Sequence, residues 1–240
     1  MYAMLGSWPD IGFAVNQLTQ YGSNPVQSHL NTPTHVLCYL RATQAHQFTY
    51  GQNDSSKLIA YSNSDWAANT DTCCSMTGFC FIFTGACVSW TTHKQCTVTL
   101  SSTEAEYMAF TACAKHAKWT ISLLQQLDFD VDLLLEIFSD SLGARAIAEN
   151  PTHHDQTKHT DIQHHYIQDH IPDGTLHISP ISSKDNIADV LTKSFCHDWH
   201  AFLKKKLGIV SDSIVGEYLK DDQAISIDIL RLSQLMIELQ

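Results

Sequence analysis

Three acidic residues stand where carboxylates could do chemistry: Glu106 in Ser101-Ser102-Thr103-Glu104-Ala105-Glu106-Tyr107, Asp140 in Phe138-Ser139-Asp140-Ser141, and Asp189 in Ile187-Ala188-Asp189-Val190-Leu191-Thr192-Lys193. Hard divalent cations prefer oxygen ligands, and Mg2+ takes one or two carboxylates together with phosphate and water. Asp140 ends an apolar run, and ligand crevices of α/β sheets lie at the carboxyl ends of such strands. Each acid also has a purely structural role open to it. Thr103-x-x-Glu106 reads as a capping box, but Ser101-x-x-Glu104 offers the same box two residues earlier. Asp140 could cap a helix starting at Ser141, and Asp189 could be a solvated helix residue with Asn186 as the cap.

Two other constellations carry less. Cys73, Cys74, Cys80 and Cys87 lack the two-residue spacer usual in zinc sites, and those on strands act as small apolar residues. His154, His159, His164 and His170 recur at five- or six-residue steps, which scatters them around a helix instead of stacking them at i, i+4. Neither set is read as a metal site.

The 240 residues, 44% hydrophobic, suffice for one substantial core plus an accessory segment. The formal charge of -11 opposes tight binding of a polyphosphate, and the only arginines are Arg41, Arg145 and Arg231. No basic stretch followed by an apolar core opens the chain, and no apolar run reaches membrane-spanning length. Eight cysteines without a signal peptide read as reduced thiols, so an intracellular, soluble chain in cytoplasm or nucleus is expected.

Residues 1–50 predict a helical hairpin, with Pro9 at a first-turn position and Gly22-Ser23-Asn24-Pro25 as the break. From Lys57 the pattern turns to strands. Ile59, Tyr61, Asn63 and Asp65 share one face of the first, and Thr77–Thr84 with Ala86–Thr91 form a hairpin about Gly85. Residues 102–127 predict a long helix and Leu133–Phe138 a central buried strand. A helix over Ser141 to Asn150, a His-rich helix to about His170, a strand over Thr175–Ile181 and a final helix opening at Asn186–Lys193 complete the series.

With Ala60-Tyr61-Ser62-Asn63-Ser64-Asp65-Trp66-Ala67, the three acidic motifs closely resemble the ribonuclease H region of copia-type retrotransposon polyproteins. Residues 1–50 are similar to the end of the reverse transcriptase that precedes it. The resemblance implies an α/β fold, a ribonuclease H-like mixed sheet flanked by helices and preceded by a short helical segment. It divides the chain into a helical end of the reverse-transcriptase region over 1–50, the ribonuclease H-like domain over 57–197, a C-terminal helix over 198–210 and an unassigned tail over 211–240. It also implies cleavage of the RNA strand of an RNA–DNA hybrid by two divalent ions, Mg2+ or Mn2+, about 3.5–4 Å apart. Position 63, Glu106, Asp140 and Asp189 would hold those ions, with Lys158, His159 and Lys193 meeting the substrate. The partners implied are the hybrid and the upstream reverse transcriptase, with no membrane.

The family has an aspartate where this chain has Asn63. Its "DRRS" stands here as Thr72-Cys73-Cys74-Ser75 and its "RPDI" as Trp8-Pro9-Asp10-Ile11. Aspartate to asparagine and arginine to cysteine or tryptophan can each arise from one C-to-T or G-to-A change, the pattern that cytosine deamination leaves; a balanced spectrum against a close DNA relative would contradict that origin. An impaired enzyme is therefore expected. The alternative is a catalytically silent relic that keeps the fold and weak nucleic-acid binding. Asp65, two residues along the strand and about 6.5 Å away, is too distant to replace position 63 without moving the ions.

Overall fold

The computed structural model describes residues 1–51, 57–69, 71–149 and 175–211. The chain opens with helices α1 (Tyr2–Gly6), α2 (Gly12–Gln20) and α3 (Gln27–Ala42), and Pro9 starts a single 3-10 turn before α2. Strand β1 (His46–Phe48) follows. The central sheet is formed by β2 (Ile59–Asp65), β3 (Met76–Phe83), β4 (Ala86–Lys94), β5 (Leu135–Ser139) and β6 (Leu176–Pro180), with helix α4 (Ser102–Gln126) between β4 and β5 and α5 (Leu142–Glu149) after β5. A 3-10 turn over Ile187–Leu191, helix α6 (His197–Lys206) and strand β7 (Ile209–Ser211) end the described chain.

The sheet order is β4-β3-β2-β5-β6. The first three strands pair antiparallel, and β5 and β6 add to β2 in parallel. This is the ribonuclease H-like arrangement, a mixed sheet flanked by helices. Alternation along the strands sends side chains to two cores. On one face Leu58, Ala60, Phe79, Phe81 and Ile137 pack beneath Tyr107, Phe110, Ala114 and Ala117 of α4. On the other, Cys80, Cys87 and Trp90 pack with Val190, Leu191, Leu203 and Leu207.

Two segments differ in detail from the sequence expectation. The helix expected to open at Asn186 is only a 3-10 turn, and α6 begins separately at His197. Asn186 caps the turn through Ala188, while Thr192 N–H bonds back to the Asp189 carbonyl at 3.1 Å, the i to i+3 spacing of a tight turn. Residues 209–211 form a strand, antiparallel to β1. That pairing is invisible to local pattern because its partners, such as Phe48 and Ile209, lie far apart in the chain. The His-rich segment and residues 212–240 lie outside the described residues.

The N-terminal segment is joined to the sheet by buried polar contacts. Trp90 Nε1 donates to the Met4 carbonyl at 2.7 Å, and Asn16 Nδ2 donates to the Thr92 carbonyl at 2.6 Å. A buried cluster ties it to α6: Tyr39 OH donates to Asp10, Lys204 Nζ donates to Tyr39 OH at 2.8 Å, and the Lys204 ammonium lies 3.5 Å from the Asp10 carboxylate. Asp10 and Lys204 are 5% and 6% exposed, so removing either partner leaves an uncompensated charge inside. Lys204→Met is expected to cost about 3–5 kcal/mol in urea unfolding. A loss within error of zero would show that the cluster does not hold the segment to the domain.

Candidate active site

In each case a neighbour takes the structural role that the acid could have filled. Ser101 caps α4, accepting from Glu104 N–H at 3.1 Å, while Glu104 Oε2 accepts from Leu100 N–H at 2.8 Å. Ser141 Oγ caps α5, accepting from Ala144 N–H at 3.2 Å, and Asn186 Oδ1 caps the last 3-10 turn. Glu106, Asp140 and Asp189 are thus left without a capping duty.

Local elements then bring these side chains together at the carboxyl end of β2 and β5. Asn63, 1% exposed on β2, donates from Nδ2 to Asp189 Oδ1 at 2.6 Å and to Thr192 Oγ1 at 2.5 Å. The amide presents its nitrogen there because two facing oxygens would repel. Its Oδ1 is buried without a hydrogen-bond partner. Asn186 Nδ2 joins the β2 backbone to β5, donating to the Ser62 carbonyl at 3.0 Å and, more weakly, to Asp140 Oδ1 at 3.4 Å. Lys193 Nζ lies 2.9 Å from Asp189 Oδ1. Lys158 and His159 fall outside the described residues.

Glu106 enters from the first turns of α4. Burial first, and then the charge of Asp140, push its carboxyl up to about 8, against a hydrogen bond from the Ser64 backbone and the charge of Lys193. Its Oε2 is buried without a partner. Burial likewise raises Asp189, outweighing the Lys193 ammonium that pulls it down. Asp65 sits at the rim, raised by burial, with Lys193 acting in the opposite sense. No hydrogen bond joins Asp65 to Asp189 or Lys193 among the described residues.

Four residues position the site in ways that the sequence does not signal, although Asn186 is legible as a cap. Gln95 Nε2 donates to Thr77 Oγ1 and to the Ala105 carbonyl, both at 3.0 Å, and so fixes the start of α4 against β3. Asn186 and Thr192 are described above. Gly78 stands opposite Asn63 in the β2–β3 ladder, and a Cβ there would come within 2.6 Å of Thr192 and 2.8 Å of Leu191. Only glycine lets the turn lie so close to the sheet.

The oxygens of Glu106 and Asp140 suit a hard cation. The other half of the site does not, since Asp189 Oδ1 already takes an amide N–H and an ammonium and residue 63 offers nitrogen. Among the described residues no group of three or more His, Cys, Asp or Glu is placed to hold a metal. The residues present do not fit the pair of ions that the resemblance implies.

A raised carboxyl keeps a proton that the unfolded chain has lost. Stability in chelator is therefore expected to fall as pH rises from about 4.5 to about 8 and to level off beyond, with Asp65 and Asp189 acting in the same direction. Glu106→Gln, which cannot ionise, is expected to exceed the parent by about 1–3 kcal/mol at pH 8, the gap closing toward pH 5. A gap that does not change with pH would contradict this electrostatic picture.

Comparison with known proteins places the chain. It is 33% identical over 202 residues to the retrovirus-related Pol polyprotein of transposon RE2 of Arabidopsis thaliana, covering 84% of this chain and 14% of that one. It is 34% identical over 212 residues to the corresponding polyprotein of transposon TNT 1-94 of Nicotiana tabacum, covering 88% and 16%. A solved ribonuclease H1 isolated from compost, LC11-RNase H1, is 17% identical with a TM-score of 0.44, over 57% of this chain and 94% of that one. No family model matches. The chain spans about 14% of the length of the first of these polyproteins. No described helix is long and apolar enough to cross a membrane. By this similarity over 84–88% of its length, the chain belongs to the retrovirus-related Pol polyproteins of transposons.

Proposed function

We propose that the domain is built to cleave the RNA strand of an RNA–DNA hybrid, in a polyprotein of copia type that also carries a reverse transcriptase, and that this copy is impaired at Asn63. Glu106, Asp140 and Asp189, with residue 63, are the catalytic positions in this reading, and Mg2+ or Mn2+ is the cofactor they would share. The observation that carries it is the Asn63 amide donating to Asp189 Oδ1 at 2.6 Å within the acidic cluster. An aspartate at 63 would offer two acceptor oxygens and a charge; the amide offers one acceptor, and turns its donor toward Asp189. A bridging ligand cannot be mimicked that way. Lys158, His159 and Lys193 are the residues proposed to meet the substrate backbone, although the Lys193 ammonium lies on Asp189 here.

Hydrolysis of a labelled hybrid tests this reading. With Mg2+ or Mn2+ supplied, the parent chain is expected to show almost no cleavage, and Asn63→Asp to raise it about a thousandfold or more, a difference of several kcal/mol at the transition state. Equal and robust cleavage by both would mean that Asp65 or another group already serves. Absence of cleavage in both would favour the silent relic.

A further inference from the structure

Lys193 occupies an unusual place. Its ammonium is 2.9 Å from Asp189 Oδ1, the same oxygen that Asn63 Nδ2 reaches at 2.6 Å. Backbone bonds hold it there: the N–H groups of Thr192 and Lys193 both donate to the Asp189 carbonyl, at 3.1 and 3.0 Å. A group tethered on the same turn competes at high effective concentration with any ion from solution. Its charge acts on Asp65, Glu106 and Asp189, and Asp140 adds to the field that keeps the ammonium protonated. The Asn63 Oδ1, on a side chain only 1% exposed, has no partner, so the amide is oriented by its donor side toward Asp189 and Thr192.

We infer that Lys193 is the resident cation of the acidic cluster, an ammonium standing on Asp189 in place of a divalent ion, so that the domain is stable without metal. An ion could take Asp189 Oδ1 only after two donors, Lys193 Nζ and Asn63 Nδ2, had left it. Asn63 favours the ammonium twice. It removes one negative charge that a divalent ion would have needed, and it adds a hydrogen bond that a metal would have to break. This inference deepens the proposed reading of the same site and rests on its assignment of Asp189 to the cluster.

Thermal melting and Mn2+ titration test it, in the parent, in Lys193→Met and in Lys206→Met, whose lysine pairs with Asp185 at 3.0 Å outside the cluster. The parent and Lys206→Met are expected to melt at the same temperature in chelator and in millimolar Mn2+. Lys193→Met is expected to melt about 3–6 °C lower in chelator and to regain most of that in Mn2+, because the uncompensated carboxylates then bind the ion. Lys193→Gln, closer to the native polarity, serves if the methionine variant does not fold. A parent that binds Mn2+ as tightly as the Lys193 variants, or variants whose melting ignores the ion, would overturn the inference. Cleavage by Asn63→Asp is a separate readout, so failure of one result is distinguishable from failure of the other.

Discussion

The site depends on how closely the turn over 187–192 can lie against the central sheet. Gly78 sets that distance, since a Cβ there would come within 2.6 Å of Thr192. With the side chain absent, Asp189 and Thr192 come into reach of Asn63, 126 and 129 residues away in the chain. Thr92 Oγ1 secures the same turn from β4, donating to the Leu191 carbonyl at 2.6 Å. The apolar side of the turn, Ile187, Val190 and Leu191, is buried against Cys80 and Trp90, so the polar side faces β2 and the acids. Packing on one side of a short turn thus dictates chemistry on the other.

That arrangement works against stability. Glu106 and Asp189 are carboxyls raised by burial, and buried charge in a medium of low dielectric is costly unless paired. The two cores and the polar network around the acids must offset it. Gln95 and Asn186 are fixed by hydrogen bonds to strands and helix starts, so the acids cannot easily move apart. The N-terminal helices contribute through Trp90, Asn16 and the Asp10–Tyr39–Lys204 cluster, which makes them part of the same packed unit as the sheet.

Much of the fold was legible because its signals are local. The alternation through Ile59–Asp65, the apolar run before Asp140 and the Ser101 cap each follow from neighbours in sequence. The caps were legible in the same way, and Asn186 was readable as one, but its reach to Ser62 and Asp140 was not. Contacts between distant positions leave no such trace. Gly78 reads as a weak point in a strand until the turn lies on it, and Gln95 and Thr192 read as ordinary polar residues. Lys193 was expected only to meet substrate, because nothing but the tight turn aims its ammonium back at Asp189. The β1–β7 pair and the Asp10–Lys204 contact were hidden for the same reason.

Similarity to the retrotransposon polyproteins accompanies this fold, and the Asn63 amide on Asp189 is the contact on which the proposed impairment rests. On the inference above, an amide and an ammonium, not a metal, satisfy Asp189. Anomalous diffraction from crystals of the unaltered chain grown in Mn2+ tests it most directly. The account predicts no manganese on Asp189, with Asn63 Nδ2 and Lys193 Nζ still on Oδ1. A manganese ion shared by Asp189 and Asn63 Oδ1, with Lys193 displaced, would contradict it.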